Sequence, residues 1–288
     1  MRSCYHLKQV YNLAETSDDD KVKILETLCR EVSVDEHGQL MRHEIAYVLG
    51  QLRDERAVPS LMQVVEDKSA NCIVRHEAAE AIGAIGCADA VPALKREALD
   101  GSNPLELRET IDIAVNFIDW RVNGDGDERY VPMACACMTS PYDSTDPAPP
   151  HPDHEKLTYK ELGDIIRDEG RPLFERYRCM FSLRNRGGEH AAVQLGEALV
   201  LDKASALFRH EVCVSSTAAF TCCLFIFATT YAVPPLCIFL RSSLASDSND
   251  DVQSKFVLGQ LQHPAGLKYL VQCLDREGEH PFARHEAW

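Results

Sequence analysis

Apolar residues return along this chain with the step of an α-helix. Ile45, Val48, Leu49 and Leu52 fall at i, i+3, i+4 and i+7, and Ala78, Ala81, Ile82 and Ile85 repeat that spacing 33 residues later. Pro59 and Pro92, also 33 apart, suit the first turn of a following helix. Gly50, Gly83 and Gly86 fall where helices approach closely or end. No strand-like alternation lies between these segments, so each unit reads as two helices. Units of this kind cannot bury their apolar faces alone and must stack. The expected fold is all-α, an α-solenoid of helix-pair repeats.

The period is carried by more than apolar positions. Arg42-His43-Glu44 recurs as Arg75-His76-Glu77, and a further step of 33 reaches Arg108, where the His-Glu pair is absent. In the second half Arg176 lacks the pair and Arg209-His210-Glu211 restores it after another 33. The last copy, Arg284-His285-Glu286, lies 75 residues beyond Arg209, one step plus 42 extra residues. Between the halves, Asn123-Gly124-Asp125-Gly126-Asp127 and a proline-rich run to Pro152 stop helices. This divides the chain into an N-terminal lobe (1–120), a Pro/Gly-rich linker (121–157) and a C-terminal lobe (158–288). The Asn-Gly-Asp-Gly-Asp run fails as a calcium loop, with Glu128 at its sixth position and Ala134 at its twelfth. Leu7 to Tyr11 reads as the second helix of a first repeat whose first helix is missing.

Composition narrows the class. Of 288 residues, 26% are charged and 45% hydrophobic, which fits a soluble globular protein. Acidic residues number 45 against 30 basic ones, a formal charge of −15. Such a surface repels nucleic-acid phosphates and favours a basic partner. Twelve cysteines are scattered without a disulfide framework, and the first residues carry no apolar signal segment. A reducing cytosol or nucleus is the simplest compartment, with the cytoplasm expected, no nucleic acid as partner and a membrane disfavoured.

Four of the eleven histidines sit in the Arg-His-Glu repeats. Equivalent positions of stacked repeats are neighbours, so His43 and His76 belong side by side in one lobe, and His210 and His285 in the other. If the lobes face each other, His43, Glu44, His76, Glu77, His210, Glu211, His285 and Glu286 converge on one cavity. Imidazole with carboxylate and without thiolate suits iron or manganese better than structural zinc. Two histidines and a carboxylate per metal, duplicated, make a di-iron arrangement with positions open for oxygen. The competing reading makes Arg-His-Glu mere repeat consensus at helix starts. Against it, the pairs sit two per lobe in neighbouring units, while Arg108 and Arg176 keep only the arginine. His154-Glu155 reads as chance.

Several segments together resemble one family. They are 42–52 (RHEIAYVLGQL), 74–86 (VRHEAAEAIGAIG), 146–150 (DPAPP), 171–178 (RPLFERYR) and 206–212 (ALFRHEV). These resemble deoxyhypusine hydroxylases, and the likeness covers most of the chain outside 213–254. It implies a HEAT-repeat monooxygenase with two iron ions per chain and dioxygen as co-substrate. The implied substrate is the deoxyhypusine side chain of eukaryotic translation initiation factor five A, converted to hypusine. By the match, His43, His76 and Glu77 would hold one iron and His210, His285 and Glu286 the other. Glu44 and Glu211 would act in catalysis nearer the substrate amines, orienting them by charge-assisted hydrogen bonds.

The chain also departs from the family. Cys213 to Ser254 interrupts a helix directly after His210-Glu211, and its removal restores the 33-residue step. Val212 to Leu240 carries no charge, yet Pro234-Pro235 argues against a spanning helix. The segment reads as translated non-coding sequence, such as a retained intron, ahead of a genuine loop. Trp288 follows Glu286 by two residues, where family members continue with capping repeats. The alternative function is a catalytically inactive HEAT-repeat interaction module, or a membrane-tethered variant.

Overall fold

A computed structural model of the chain describes residues 2–124, 145–214 and 263–280. Within them the secondary structure is helical, with no strand. The first seven helices are α1 (Arg2–Asn12), α2 (Asp18–Glu31), α3 (Gly38–Leu52), α4 (Val58–Glu66), α5 (Cys72–Ile85), α6 (Val91–Leu99) and α7 (Leu105–Asn123). After a return segment come α8 (Tyr159–Arg167), α9 (Leu173–Arg186), α10 (Gly188–Leu201), α11 (Ala206–Val214) and α12 (Pro264–Asp275). The calcium-like run beyond Gly124, most of the 213–254 segment and the final His285-Glu286 pair lie outside the described residues.

The periodic positions do what their spacing predicts. Ile45, Val48, Leu49, Leu52, Ala78, Ala81, Ile82 and Ile85 are all buried. Pro59 and Pro92 occupy the first turns of α4 and α6, where the missing N–H is harmless. One layer stacks α1 on α3, α3 on α5 and α5 on α7, and the helices between them form the second layer. Each odd helix packs closely on the even helix before it: α4 on α5, α6 on α7 and α8 on α9.

Two contacts hold this arrangement. A Cβ at Gly50 would stand 2.8 Å from the Ala81 Cα, and one at Gly83 only 2.9 Å from the Ala114 Cβ. Both glycines and both alanines are 33 apart, so the same backbone approach recurs at each step. The repeat arginines supply the second contact. The Nε atoms of Arg42, Arg75 and Arg176 donate to the carbonyls of Val32, Val65 and Ile166 at 2.8, 2.9 and 2.9 Å. Each carbonyl sits at the end of the preceding helix, where orphan acceptors need partners. The side chain of Arg75 also reaches Asn103 Oδ1 at 2.7 Å. Buried guanidinium groups therefore close three of the hairpins, and Arg176 does so in a repeat that lacks His-Glu; among the described residues the Arg108 Nε has no such partner.

The described end of the interlobe region, 145–157, is packed. Ala148 is fully buried, and Arg184 makes a paired salt bridge to Asp146. Arg178 Nε donates to Pro149 O at 2.8 Å, while the Thr145 N–H donates to Gln51 Oε1 at 2.9 Å. The composition of this stretch predicts a linker; α9 and α3 hold it as a strap bonded to both lobes. His154 belongs to this packing, its Nδ1 lying 2.6 Å from the Ser182 hydroxyl.

Replacing Arg75 with Met would strip the Val65 carbonyl and Asn103 of buried donors. The variant should lose about 2–4 kcal/mol of unfolding free energy in urea titrations. A loss below about 1 kcal/mol would refute the clamp role of the arginine.

Candidate metal centre

The layer containing α3, α5 and α7 carries the His-Glu pairs inward. Asn71 caps α5 by accepting from the Ile73 N–H, and Gly86 at φ +83 ends it, which fixes the register of His76 and Glu77. His43 and His76 face each other from α3 and α5, with ring centroids 5.8 Å apart. His43 Nε2 lies 3.1 Å from Glu77 Oε2, and His76 Nε2 lies 3.9 Å from the same oxygen. One ligand atom from each of His43, His76 and Glu77 can be chosen so that all lie within 4.8 Å of one another. His76 is completely buried, Glu77 is 5% exposed and His43 is 9% exposed.

The second lobe enters through α11. The His210 ring stands perpendicular to that of His76 with centroids 5.1 Å apart, so His76 lies between histidines of both lobes. His210 and Glu211 are buried as well. Glu44 stands slightly aside from the trio: its Oε1 is 3.6 Å from His43 Nδ1, and its Oε2 accepts a hydrogen bond from the Tyr5 hydroxyl. Of the eight residues expected at the site, the structure thus brings His43, Glu44, His76, Glu77 and His210 together. Glu211 reaches the region across the seam, within electrostatic range of Glu80. His285 and Glu286 lie outside the described residues.

Electrostatics suit a cation. Burial disfavours the His43 imidazolium, but the carboxylates of Glu77 and Glu44 outweigh it and hold its pKa well above the usual value. The donor set is imidazole and carboxylate from two helices, without a thiolate, which fits a metal of the iron type better than a structural zinc.

Two residues escape a reading of the repeats. Glu80, one turn beyond Glu77, lines a cavity of about 10 Å³ with Gly83, Thr110, Pro147 and Tyr177. Burial raises its carboxyl well above the ordinary range, and the charges of Glu211 and Glu77 add to that. Its spacing from His76, four residues on the same helix, is the signal that could have marked it. Tyr5 has no such signal, because it belongs to none of the repeat motifs.

The seam between the lobes is formed by α7 against α9 and α11. Ser205 donates to Glu109 Oε2 at 2.8 Å across it, and Ile113 of α7 joins the core of the second lobe.

A family profile described as HEAT repeats matches residues 25–114. Human deoxyhypusine hydroxylase is 38% identical over 252 residues, 88% of this chain and 64% of the human protein. The zebrafish (Danio rerio) and budding yeast (Saccharomyces cerevisiae) proteins of that name are 36% and 32% identical. The solved structure of human deoxyhypusine hydroxylase in complex with glycerol superposes with a TM-score of 0.66 at 33% identity, covering 99% of this chain and 83% of that one. This chain belongs to the deoxyhypusine hydroxylase family. It spans 64% of the length of the human family member and 65% of the mouse one. Family membership and the α-solenoid of HEAT repeats expected from sequence therefore agree. Among the described residues, no helix is long and apolar enough to cross a membrane.

The seam should respond to pH. Burial pushes the Glu109 carboxyl up to about 7 from an ordinary 4.5, with Glu106 and Asp202 adding to burial and the Ser205 hydroxyl opposing it. A raised acid favours the fold when protonated, so its contribution is complete below pH 4.5 and is lost as pH rises through about 7. Glu109→Gln should therefore gain stability over the parent by about 1 kcal/mol at pH 8.5, after discounting for partial exposure, and by little at pH 5. Thermal unfolding at the two pH values measures this. A gap that does not widen with pH would exclude Glu109 as the responsible group.

Proposed function

We propose that this chain is a metal-dependent deoxyhypusine hydroxylase acting in the cytoplasm. Its substrate would be the deoxyhypusine side chain of eukaryotic translation initiation factor five A, with two irons per chain and dioxygen as co-substrate. The observation that carries this reading is the convergence of His43, His76 and Glu77 beside His210 of the other lobe, in a member of this family. His43, His76 and Glu77 would hold one iron, and His210, His285 and Glu286 the second. Iron bound there supplies the redox chemistry that turns dioxygen into a reagent for hydroxylating a C–H bond.

The protein's own groups do the rest. Burial of His76, Glu77, His210 and Glu211 keeps bulk water from the reacting centre. Glu44 and Glu211 present carboxylates to the polyamine-like side chain of the substrate and orient its ammonium groups by charge-assisted hydrogen bonds. The formal charge of −15 attracts such a cation from a distance.

Iron per chain, measured by elemental analysis, tests the reading together with oxygen-dependent hydroxylation of a deoxyhypusine-containing factor. The parent chain and a variant lacking 213–254 are compared. About two irons and hydroxylation in either one support the function, and the variant in which they occur says whether that segment obstructs the second site. Glu77→Gln and His76→Ala should each lose most of the iron of one site and at least 100-fold in rate. Retention of both iron and rate in these variants would remove the trio from the mechanism.

A further inference from the structure

The first helix contributes a group that the repeat motifs do not foreshadow. Helix α1 stacks on α3, and the half-buried Tyr5 reaches from it into the site. Its hydroxyl donates to Glu44 Oε2 at 2.5 Å, across 39 residues of sequence. The other carboxylate oxygen, Oε1, faces His43 Nδ1 at 3.6 Å, and the far nitrogen of that ring, Nε2, meets Glu77 at 3.1 Å. Phenol, carboxylate, imidazole and the second carboxylate thus form one line from the outer helix to the centre of the trio. The Tyr5 ring also lies 6.4 Å from that of Tyr47, one turn beyond His43 on α3, which anchors the phenol sideways.

We propose that Tyr5 is a positioning residue of the metal centre, acting through Glu44. By occupying Oε2 it fixes the carboxylate plane and turns Oε1 toward His43. His43 is then held with Nε2 aimed at the position shared with His76 and Glu77. Outer partners of this kind orient ligating histidines, and their removal typically lowers metal affinity about 10–100-fold. Without the phenol hydroxyl the Glu44 carboxylate loses this anchor on Oε2, and the His43 ring loses part of its orientation with it. The inference rests on the metal reading above and adds a residue to it.

The test uses the full chain, stripped of metal and titrated anaerobically with Fe(II) against a competing chelator. Tyr5→Phe keeps the ring and removes only the hydroxyl. Its Kd for Fe(II) should rise about 10-fold or more while thermal unfolding of the metal-free protein stays close to the parent's. In a Glu44→Gln background the same substitution should have little further effect, because the residue through which it acts is already altered. Leu7→Ala, which loosens the packing of α1 without touching Glu44, should leave the Kd within about twofold. An unchanged Kd in Tyr5→Phe, an equal loss in the Glu44→Gln background, or an equal loss from Leu7→Ala would each overturn the proposal. Absence of Fe(II) binding by the parent would overturn the metal reading itself, an outcome distinct from tight binding by parent and variant alike.

Discussion

The distance between the two histidines of the first lobe depends on how closely two helix backbones can come. Helices separated by ordinary side chains pack 8–10 Å apart, and their facing residues meet through those side chains. Here Gly50 meets Ala81 and Gly83 meets Ala114 with almost no side chain between the backbones. That contact recurs with the 33-residue step and keeps α3, α5 and α7 in register. With the helices held there, His43 and His76 bring their rings to 5.8 Å, and Glu77 reaches both. A methyl group at Gly50 would push α3 from α5 and so part His43 from His76 before it disturbed any of their chemistry.

The Arg-His-Glu repeat separates into two jobs. Arg42, Arg75 and Arg176 close their helical hairpins by bonding the carbonyl end of the helix before, and Arg176 does so where no histidine follows. Histidine and glutamate do the other, and those of α3 and α5 meet at the centre beside His210 of α11. A single tripeptide therefore carries both scaffold and site, and neither the consensus reading nor the metal reading of the motif is complete alone. The arginines make the stack, and the stack makes the site.

This division explains what could be read from the sequence. The helical period, the prolines at helix starts and the glycines at close approaches are local signals, and Ile45 to Leu52 or Ala78 to Ile85 carry them within one helix. The His-Glu pairs were legible because equivalent positions in a solenoid are neighbours by construction. Glu80 was not, because its environment depends on the arrival of Glu211 from the other lobe. Tyr5 and Thr145 are hidden for the same reason: they belong to no repeat motif, and their partners Glu44 and Gln51 lie 39 and 94 residues away. The stretch 145–157 reads in sequence only as part of a Pro/Gly-rich linker, because proline content reports where helices stop. It says nothing about hydrogen bonds to neighbouring elements.

That strap has a consequence for how the chain tolerates change. Thr145, Asp146 and Pro149 are bonded to α3 and α9 directly, so the register between the lobes is set at the strap and at the seam of α7 with α11. A change at Thr145 or Asp146 would therefore shift His76 against His210 while leaving it in place against His43. Alignment of the lobes and pairing of the ligands are assigned to different residues.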